Sequence, residues 1–277
     1  MSLANQFAAY TAWRARLSSN IGEFKEWLAE NELSDAQTDL RLTQLLERLR
    51  EDRLNVAFVA EFSRGKSELI NAIFFAEYGT RMLPSSAGRT TMCPTELLFD
   101  ASKLPCIELL PIETRASSSG VTEYKRFPEE WTVVRLDVES PDAMQDALRQ
   151  VSETTRVTPE AAAGLGFEVG TGDIDFYRVG DDGLVEVPRW RHAIINFPHP
   201  LLKQGLTILD TPGLNAIGAE PELTLSLLPN AHAVLFILGA DTGVTQSDMA
   251  IWRDHICAGG TARRGRLVVL NKIDGQW

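Results

Sequence analysis

Residues 55–75 read Asn-Val-Ala-Phe-Val-Ala-Glu-Phe-Ser-Arg-Gly-Lys-Ser-Glu-Leu-Ile-Asn-Ala-Ile-Phe-Phe, and three textures succeed one another within them. Asn55 to Ala60 is a short apolar run, Glu61 to Lys66 is a polar turn with one glycine, and Ser67 to Phe75 carries apolar residues at helical spacing. Strand, loop and helix in that order form the unit of a parallel α/β sheet. The turn fits GxxxxGK followed by Ser, except that Ala60 stands where the first glycine belongs. In such a loop Gly65 lets the backbone bend closely around phosphate groups, with the amides of Glu61, Phe62, Ser63 and Arg64 directed inward. Lys66 then brings a point charge to the β and γ phosphates, and Ser67 is a ligand for Mg²⁺. Taken alone, the same residues also describe a solvated turn with a lysine at a helix start.

Two further stretches bear on that choice. Leu206 to Leu209 is a compact apolar run that delivers Asp210-Thr211-Pro212-Gly213, and in an open α/β sheet ligands bind beyond the carboxyl ends of strands. Asp210 can hold Mg²⁺ through a water, and the Gly213 amide can sense a γ phosphate. The run Arg266 to Leu270 leads into Asn271-Lys272-Ile273-Asp274. A carboxylate at Asp274 accepts from both guanine N1–H and the exocyclic amine, a pair that adenine lacks, while the Lys272 stem lies against the ring. Further buried-strand candidates are Cys106 to Leu110 and Ala233 to Leu238. All four runs are continuous rather than alternating, as in strands covered on both faces.

Upstream, Leu3, Phe7, Tyr10, Leu17, Ile21, Phe24 and Leu28 recur at steps of three and four, broken by Arg14, and predict an amphipathic helix. Ser34 is an N-cap candidate for a second, shorter helix marked by Leu42, Leu45, Leu46 and Leu49, so the two form an antiparallel pair packed on each other or on the next domain. Between about 112 and 190 the texture changes. A Ser-rich link is followed by Ser140-Pro141 and Thr158-Pro159, each a cap with Pro at the first helical position. A hairpin is expected from Phe176 to Val179 and Leu184 to Val187 around Gly180-Asp181-Asp182-Gly183. The GLG and GTG of this region do not complete a dinucleotide fingerprint and are read as loop.

Composition sets outer limits. With 44% hydrophobic and 23% charged residues in a chain of 277, the sequence has the material for a buried core. A net charge of −11 repels phosphate backbones, which excludes nucleic-acid binding by bulk charge but not a local anion site made of backbone amides. Cys93, Cys106 and Cys257 form no CxxC pair, which speaks against a zinc ribbon or disulfide framework and suits a reducing cytoplasm. No apolar run of membrane-spanning length or signal-peptide order is visible, so a soluble, unexported chain is expected.

Together these motifs resemble the TRAFAC-class GTPases, and specifically the bacterial dynamin-like proteins. The resemblance rests on AEFSRGKSELINAIF, LPSSAGRTTMCPTEL, PLLKQGLTILDTPGLN, AHAVLFILGADTGVTQSD and VVLNKID, and covers about Asn55 to Asp274 apart from the central stretch. It implies a P-loop GTPase fold: a mostly parallel sheet flanked by helices, preceded by a neck-like helical pair over 1–54 and carrying an insertion at about 112–190 between switch I and switch II. The GTPase domain would then run over 55–277. Carried over by position, Thr91 would bind Mg²⁺ and position the attacking water, with Thr90 as the alternative register. Ser63 would stabilise transition-state charge, directly or with K⁺ or Na⁺. Leu214 stands where Ras-like enzymes keep a glutamine, so a Ras-type glutamine mechanism is not expected.

Lys66, Ser63, Thr91 and Arg64 are thus the catalytic candidates; Arg64 acts as an internal arginine finger or pairs with a local acid from an exposed position. Glu61 to Ser67, Gly213, Asn271, Lys272 and Asp274 are the nucleotide-binding candidates, and Ser67, Thr91 and Asp210 the metal candidates. The resemblance further implies GTP and GDP as ligands, nucleotide-dependent homodimerisation, and membrane remodelling through regions after the GTPase domain, from the cytoplasm or the inner face of the membrane. The alternatives are a noncatalytic interaction module and an ATP-dependent P-loop enzyme. If Ala60 needs a positive φ, its methyl introduces strain. The chain is expected to be C-terminally truncated, stopping three residues after Asp274, with weakened nucleotide affinity and an exposed sheet edge or helix-docking face.

Overall fold

The computed structural model describes residues 3–50, 53–83, 93–117, 119–167, 169–170, 177–212, 228, 231–257 and 265–276. These form the strands β1 (Leu54–Ala60), β2 (Thr95–Leu98), β3 (Cys106–Pro111), β4 (Thr132–Arg135), β5 (Thr154–Val157), β6 (Val169–Gly170), β7 (Tyr177–Arg178), β8 (Val185–Pro188), β9 (Trp190–Asn196), β10 (Leu206–Asp210), β11 (Ala233–Gly239) and β12 (Gly265–Asn271). The helices that matter for the argument are α1 (Leu3–Glu30), α2 (Ala36–Arg50) and α3 (Lys66–Phe74).

An eight-stranded sheet in the order β12-β11-β1-β10-β2-β9-β3-β4 organises the described residues. Neighbours from β12 through β10 run parallel, as do β2 and β9, whereas β10–β2, β9–β3 and β3–β4 are antiparallel. Parallel neighbours put the loops after β1, β10, β11 and β12 at one edge, which is how residues far apart in sequence come to share a site. One face is sealed by Phe58, Ala60, Leu97, Ile107, Leu109, Ile195 and Ile208, the other around Ala57, Val59, Leu209, Val234 and Phe236.

All four apolar runs are strands, but β12 corrects the expectation of cover on both faces. Leu267, Val268 and Leu270 are each about half exposed, and among the described residues β12 pairs with β11 alone.

The stretch 112–190 is partly woven into the main body. β4 extends the sheet, and the helix Pro141–Arg149 sends Met144 and Leu148, both fully buried, into the larger core. The helices at Ser140-Pro141 and Thr158-Pro159 begin where expected, each capped by a hydroxyl that accepts from a backbone N–H three residues on. The hairpin is corrected. The turn closes, with Gly180 N–H donating to Leu184 O at 2.7 Å, but a single bridge, Val179 to Val185, joins its arms. β8 pairs with β5 instead, helped by Arg156 of β5 reaching Asp182 in the turn. Phe176 lies outside the described residues.

The helical pair forms with two corrections. Asp35, not Ser34, caps α2: its carboxylate accepts from Thr38 N–H and Thr38 Oγ1, both at 2.8 Å, and those bonds hold its carboxyl below the usual range. Leu17, Ile21 and Leu28 are half-buried, as are Leu42, Leu46 and Leu49 of the contacting α2, and Lys25 reaches across to Thr43 and Asp39. Tyr10 and Phe24 instead stay exposed and stack on Trp13 and Trp27. A true 3.6-residue period carries a three-and-four series gradually off the contact line. Among the described residues no helix is long and apolar enough to cross a membrane.

If Pro141–Arg149 is integral to the core, Leu148→Ala should lower the whole unfolding transition by about 2 to 5 kcal/mol. Urea unfolding followed by circular dichroism checks this, and a separate early phase would contradict it.

Candidate nucleotide site

β1 ends at Ala60, and the chain turns through Glu61 to Gly65 into α3. Ala60 is fully buried within the strand and has no positive φ, so its methyl fills core space and the expected strain is absent. Left-handed backbone lies further along the loop, at Ser63 with φ 62° and Gly65 with φ 80°, and it is strained only at Ser63. Only glycine takes that conformation freely, and Gly65 has a second reason to be glycine. A Cβ there would lie 2.4 Å from the side-chain nitrogen of Asn271. That nitrogen donates to the carbonyls of Arg64 at 3.0 Å and Gly65 at 3.4 Å, tying the loop after β1 to the end of β12.

Lys66 and Ser67 open α3, and both are buried. The Lys66 ammonium pairs with the buried carboxylate of Asp210 at the end of β10. Thr211 is locked beside it, its hydroxyl donating to Phe58 O at 2.9 Å. Ser67 supplies a hydroxyl and Asp210 a carboxylate, which are hard oxygen donors of the kind Mg²⁺ takes together with phosphate oxygens and water. Ser67 follows Lys66 at the start of α3 and Asp210 pairs with the Lys66 ammonium, so the residue types present fit that ion.

The Arg64 guanidinium is buried, not exposed, and lies between Glu61 at 2.6 Å and Asp248 at 3.0 Å. Lys272, another left-handed residue with φ 56°, donates to Asp241 at 2.8 Å and holds that carboxyl below its usual range. Asp274 is exposed in the turn that follows. Phe62 is also exposed. Thus Glu61 to Ser67, Asp210, Asn271, Lys272 and Asp274 belong to one edge of the sheet, whereas Thr90, Thr91, Gly213 and Leu214 lie outside the described residues.

Three groups around this edge escape sequence reasoning. Asn71 on α3 accepts from the N–H groups of Met82 and Leu83 and donates to Leu83 O, pinning the chain just before residue 84. Thr245 and Asp248 form a capping box at the helix Gln246–Ile251; Thr-x-x-Asp ahead of an apolar run was a readable signal for it. The third group is Glu96 on β2, whose Oε1 lies 2.9 Å from His192 Nε2 and 2.6 Å from Lys125 Nζ. A carboxylate only accepts, so Nε2 carries the proton. Burial pushes the Glu96 carboxyl up, but the His192 bond and the His192 and Lys125 charges outweigh it and bring it down to about 2.

A phosphate-type loop after β1, a carboxylate at the end of β10 and Asn-Lys-x-Asp after β12 define a P-loop GTPase fold. Residues 56–273 match the model of the dynamin family, and the chain belongs to that family. It is 23% identical over 256 residues to a bacterial dynamin-like protein of Nostoc punctiforme, covering 92% of this chain and 29% of that one. It is 40% identical over 106 residues to the isoniazid-induced protein IniA of Mycobacterium tuberculosis, covering 34% of this chain and 16% of that one. A solved structure of an oligomerised bacterial dynamin pair, described as providing a mechanism for long-range sensing and tethering of membranes, aligns with TM-score 0.49 and 18% identity over 96% of this chain and 33% of its own. The chain thus spans a third or less of the length of these relatives.

Two measurements test the local physics. Gly65→Ala should destabilise the fold by about 1 to 3 kcal/mol, and adding Asn271→Ala should remove the clash but leave the cost of the positive φ. Calorimetric melts of the single and double variants separate the two. Because Glu96 has a folded-state pKa of about 2 against an ordinary 4.5, its contribution is complete above pH 4.5 and disappears as pH falls toward 2. That contribution is on the order of 3 kcal/mol. Glu96→Gln should flatten this acid limb in pH-dependent melts.

Proposed function

We propose that this chain binds GTP with Mg²⁺ and hydrolyses it, water attacking the γ phosphate in line with the leaving oxygen. The observation that carries the reading is convergence: Gly65-Lys66-Ser67, Asp210 and Asn271-Lys272-Ile273-Asp274 lie at the carboxyl ends of β1, β10 and β12, at one edge of a run of parallel strands. Membership of the dynamin family supports it.

In this reading Lys66 exchanges Asp210 for phosphate oxygens, and the amides from Glu61 to Ser67 cradle the same anion, Phe62 contributing through its backbone. Ser67 and Asp210 would hold Mg²⁺, with Thr91 as a further ligand, and the bound ion would supply charge neutralisation at the phosphate oxygens. Ser63 stabilises charge that develops in the transition state, directly or with K⁺ or Na⁺, and Thr91 positions the water. Arg64 was the remaining catalytic candidate, and its buried pairing favours a supporting role. Asp274 selects guanine through two accepted hydrogen bonds, Lys272 lies along the ring, and Gly213 meets the γ phosphate. The helical pair over 1–54 and the GTPase domain over 55–277 act as one unit in a cytoplasmic protein. Family likeness extends the proposal to nucleotide-dependent homodimerisation and to membrane remodelling.

Phosphate release by the purified chain with Mg-GTP, compared with Lys66→Ala, tests the reading. Release should fall to background in the variant, rise with K⁺ and resist competition by ATP. Saturable GTP binding without release above the variant would favour a noncatalytic interaction module.

A further inference from the structure

Resting on the GTPase reading, we infer that Arg64 is a positioning residue: a latch that fixes the phosphate loop to the Asp241–Ile251 segment through Glu61 and Asp248, and on which nucleotide affinity depends. A loop arginine beside a phosphate site invites the role of a mobile charge donor. The geometry points elsewhere.

The Arg64 guanidinium is 4% exposed and Asp248 is fully buried, with one guanidinium nitrogen donating to both carboxylates. Withdrawing Arg64 toward a phosphate would take from the fully buried Asp248 carboxylate, and from the partly buried Glu61, the guanidinium they share, the costly way to break a buried ion pair. Asp248 is not free to follow. Its Oδ2 also accepts from Thr245 N–H and Thr245 Oγ1, each at 2.9 Å, while its own N–H donates back to Thr245 Oγ1 at 3.1 Å. Swinging it out would unravel the start of the helix. Glu61 is held from the same side, accepting from Ser247 Oγ, and its Oε2 lies 3.2 Å from Thr245 Oγ1, whose single proton it shares with Asp248 Oδ2. The latch therefore joins one strained loop to one segment by several bonds.

Arg64 lies between the two left-handed residues, Ser63 and Gly65. For a residue with a side chain, such as Ser63, that conformation persists only when its surroundings over-determine it. Here the side chain of Arg64 is held by Glu61 and Asp248 while its carbonyl is held by Asn271. The helix Gln246–Ile251 rests on the second core through Ile251, and the π-helical turn that continues it places Trp252 5.5 Å from Phe236 of β11. The loop conformation is thereby anchored to the sheet itself.

Charge supplies the discriminating experiment. The cluster holds two carboxylates and one guanidinium, so it carries an excess negative charge beside a site for a polyanion. Neutralising Asp248 should, by charge alone, tighten phosphate binding; if the latch sets the loop geometry, it should weaken it. Equilibrium binding of a fluorescent GTP analogue with Mg²⁺ and steady-state GTP hydrolysis would be measured for wild type, Asp248→Asn, Arg64→Lys, Arg64→Ala, the Arg64→Ala/Asp248→Asn double variant and Lys66→Ala.

The latch requires Asp248→Asn and Arg64→Ala each to weaken binding by about tenfold, with turnover at saturation falling less than affinity. The double variant should bind no worse than the weaker single one. Should Arg64→Ala fail to fold, as judged by its melting curve, Asp248→Asn and Arg64→Lys carry the same comparison. Binding by Asp248→Asn as tight as wild type or tighter overturns the latch. So does unchanged affinity in an Arg64 variant with turnover reduced by about 10³, the signature of an arginine finger. Unimpaired GTP binding by Lys66→Ala would instead overturn the GTPase reading beneath it.

Discussion

The side-chain amide of Asn271 donating to the carbonyls of Arg64 and Gly65 is the contact around which this structure is arranged. It joins the loop after β1 to the end of β12, across the intervening β11, and it works only because position 65 has no Cβ. A phosphate-cradling loop must turn its amides inward and its carbonyls outward, and outward carbonyls need donors. Asn271 supplies one. Asn271, which opens the Asn-Lys-Ile-Asp motif, is thus also a structural partner of the loop after β1, and the two stretches stand in fixed relation.

Around that contact, charges are taken into the protein in neutralised or nearly neutralised sets. Lys66 meets Asp210, Arg64 meets Glu61 and Asp248, and Glu96 meets both His192 and Lys125. Buried ion pairs contribute little net stability relative to apolar packing, but breaking one is costly. Their value here is positional. Each pair joins elements that apolar packing alone would leave free to slide: α3 to β10, the phosphate loop to the helix Gln246–Ile251, and β2 to β9. On the proposed GTPase reading, the first pair is the one that a phosphate and a metal ion would replace.

Much of this was legible in the chain because the signals are local. Continuous apolar runs marked β1, β3, β10, β11 and β12, and Ser-Pro and Thr-Pro marked two helix starts within a few residues. The misreadings share a cause. Ser34 and Asp35 are both good caps, and only the path of the chain decides which carboxylate or hydroxyl meets Thr38 N–H. β12 looks like a buried strand because its composition is that of one, yet exposure depends on neighbours that composition does not name. The turn at Gly180 to Gly183 closes as read, but β8 found a partner in β5, a choice made by long-range pairing. Ala60 resembled a strained substitution until its place inside β1 showed an ordinary backbone.

What the sequence by itself determined is the set of nucleotide-site motifs, their order and their attachment to strand ends, because the residues within a motif act over a few bonds and their spacing is fixed by the backbone. What only the tertiary structure decided is which distant residues complete them: Asn271 over Gly65, Asp210 on Lys66, Asp248 on Arg64, and His192 with Lys125 on Glu96. Those partnerships span from 29 to 206 positions of chain. Nothing in local spacing encodes them; the order of strands in the sheet and the burial of charge do.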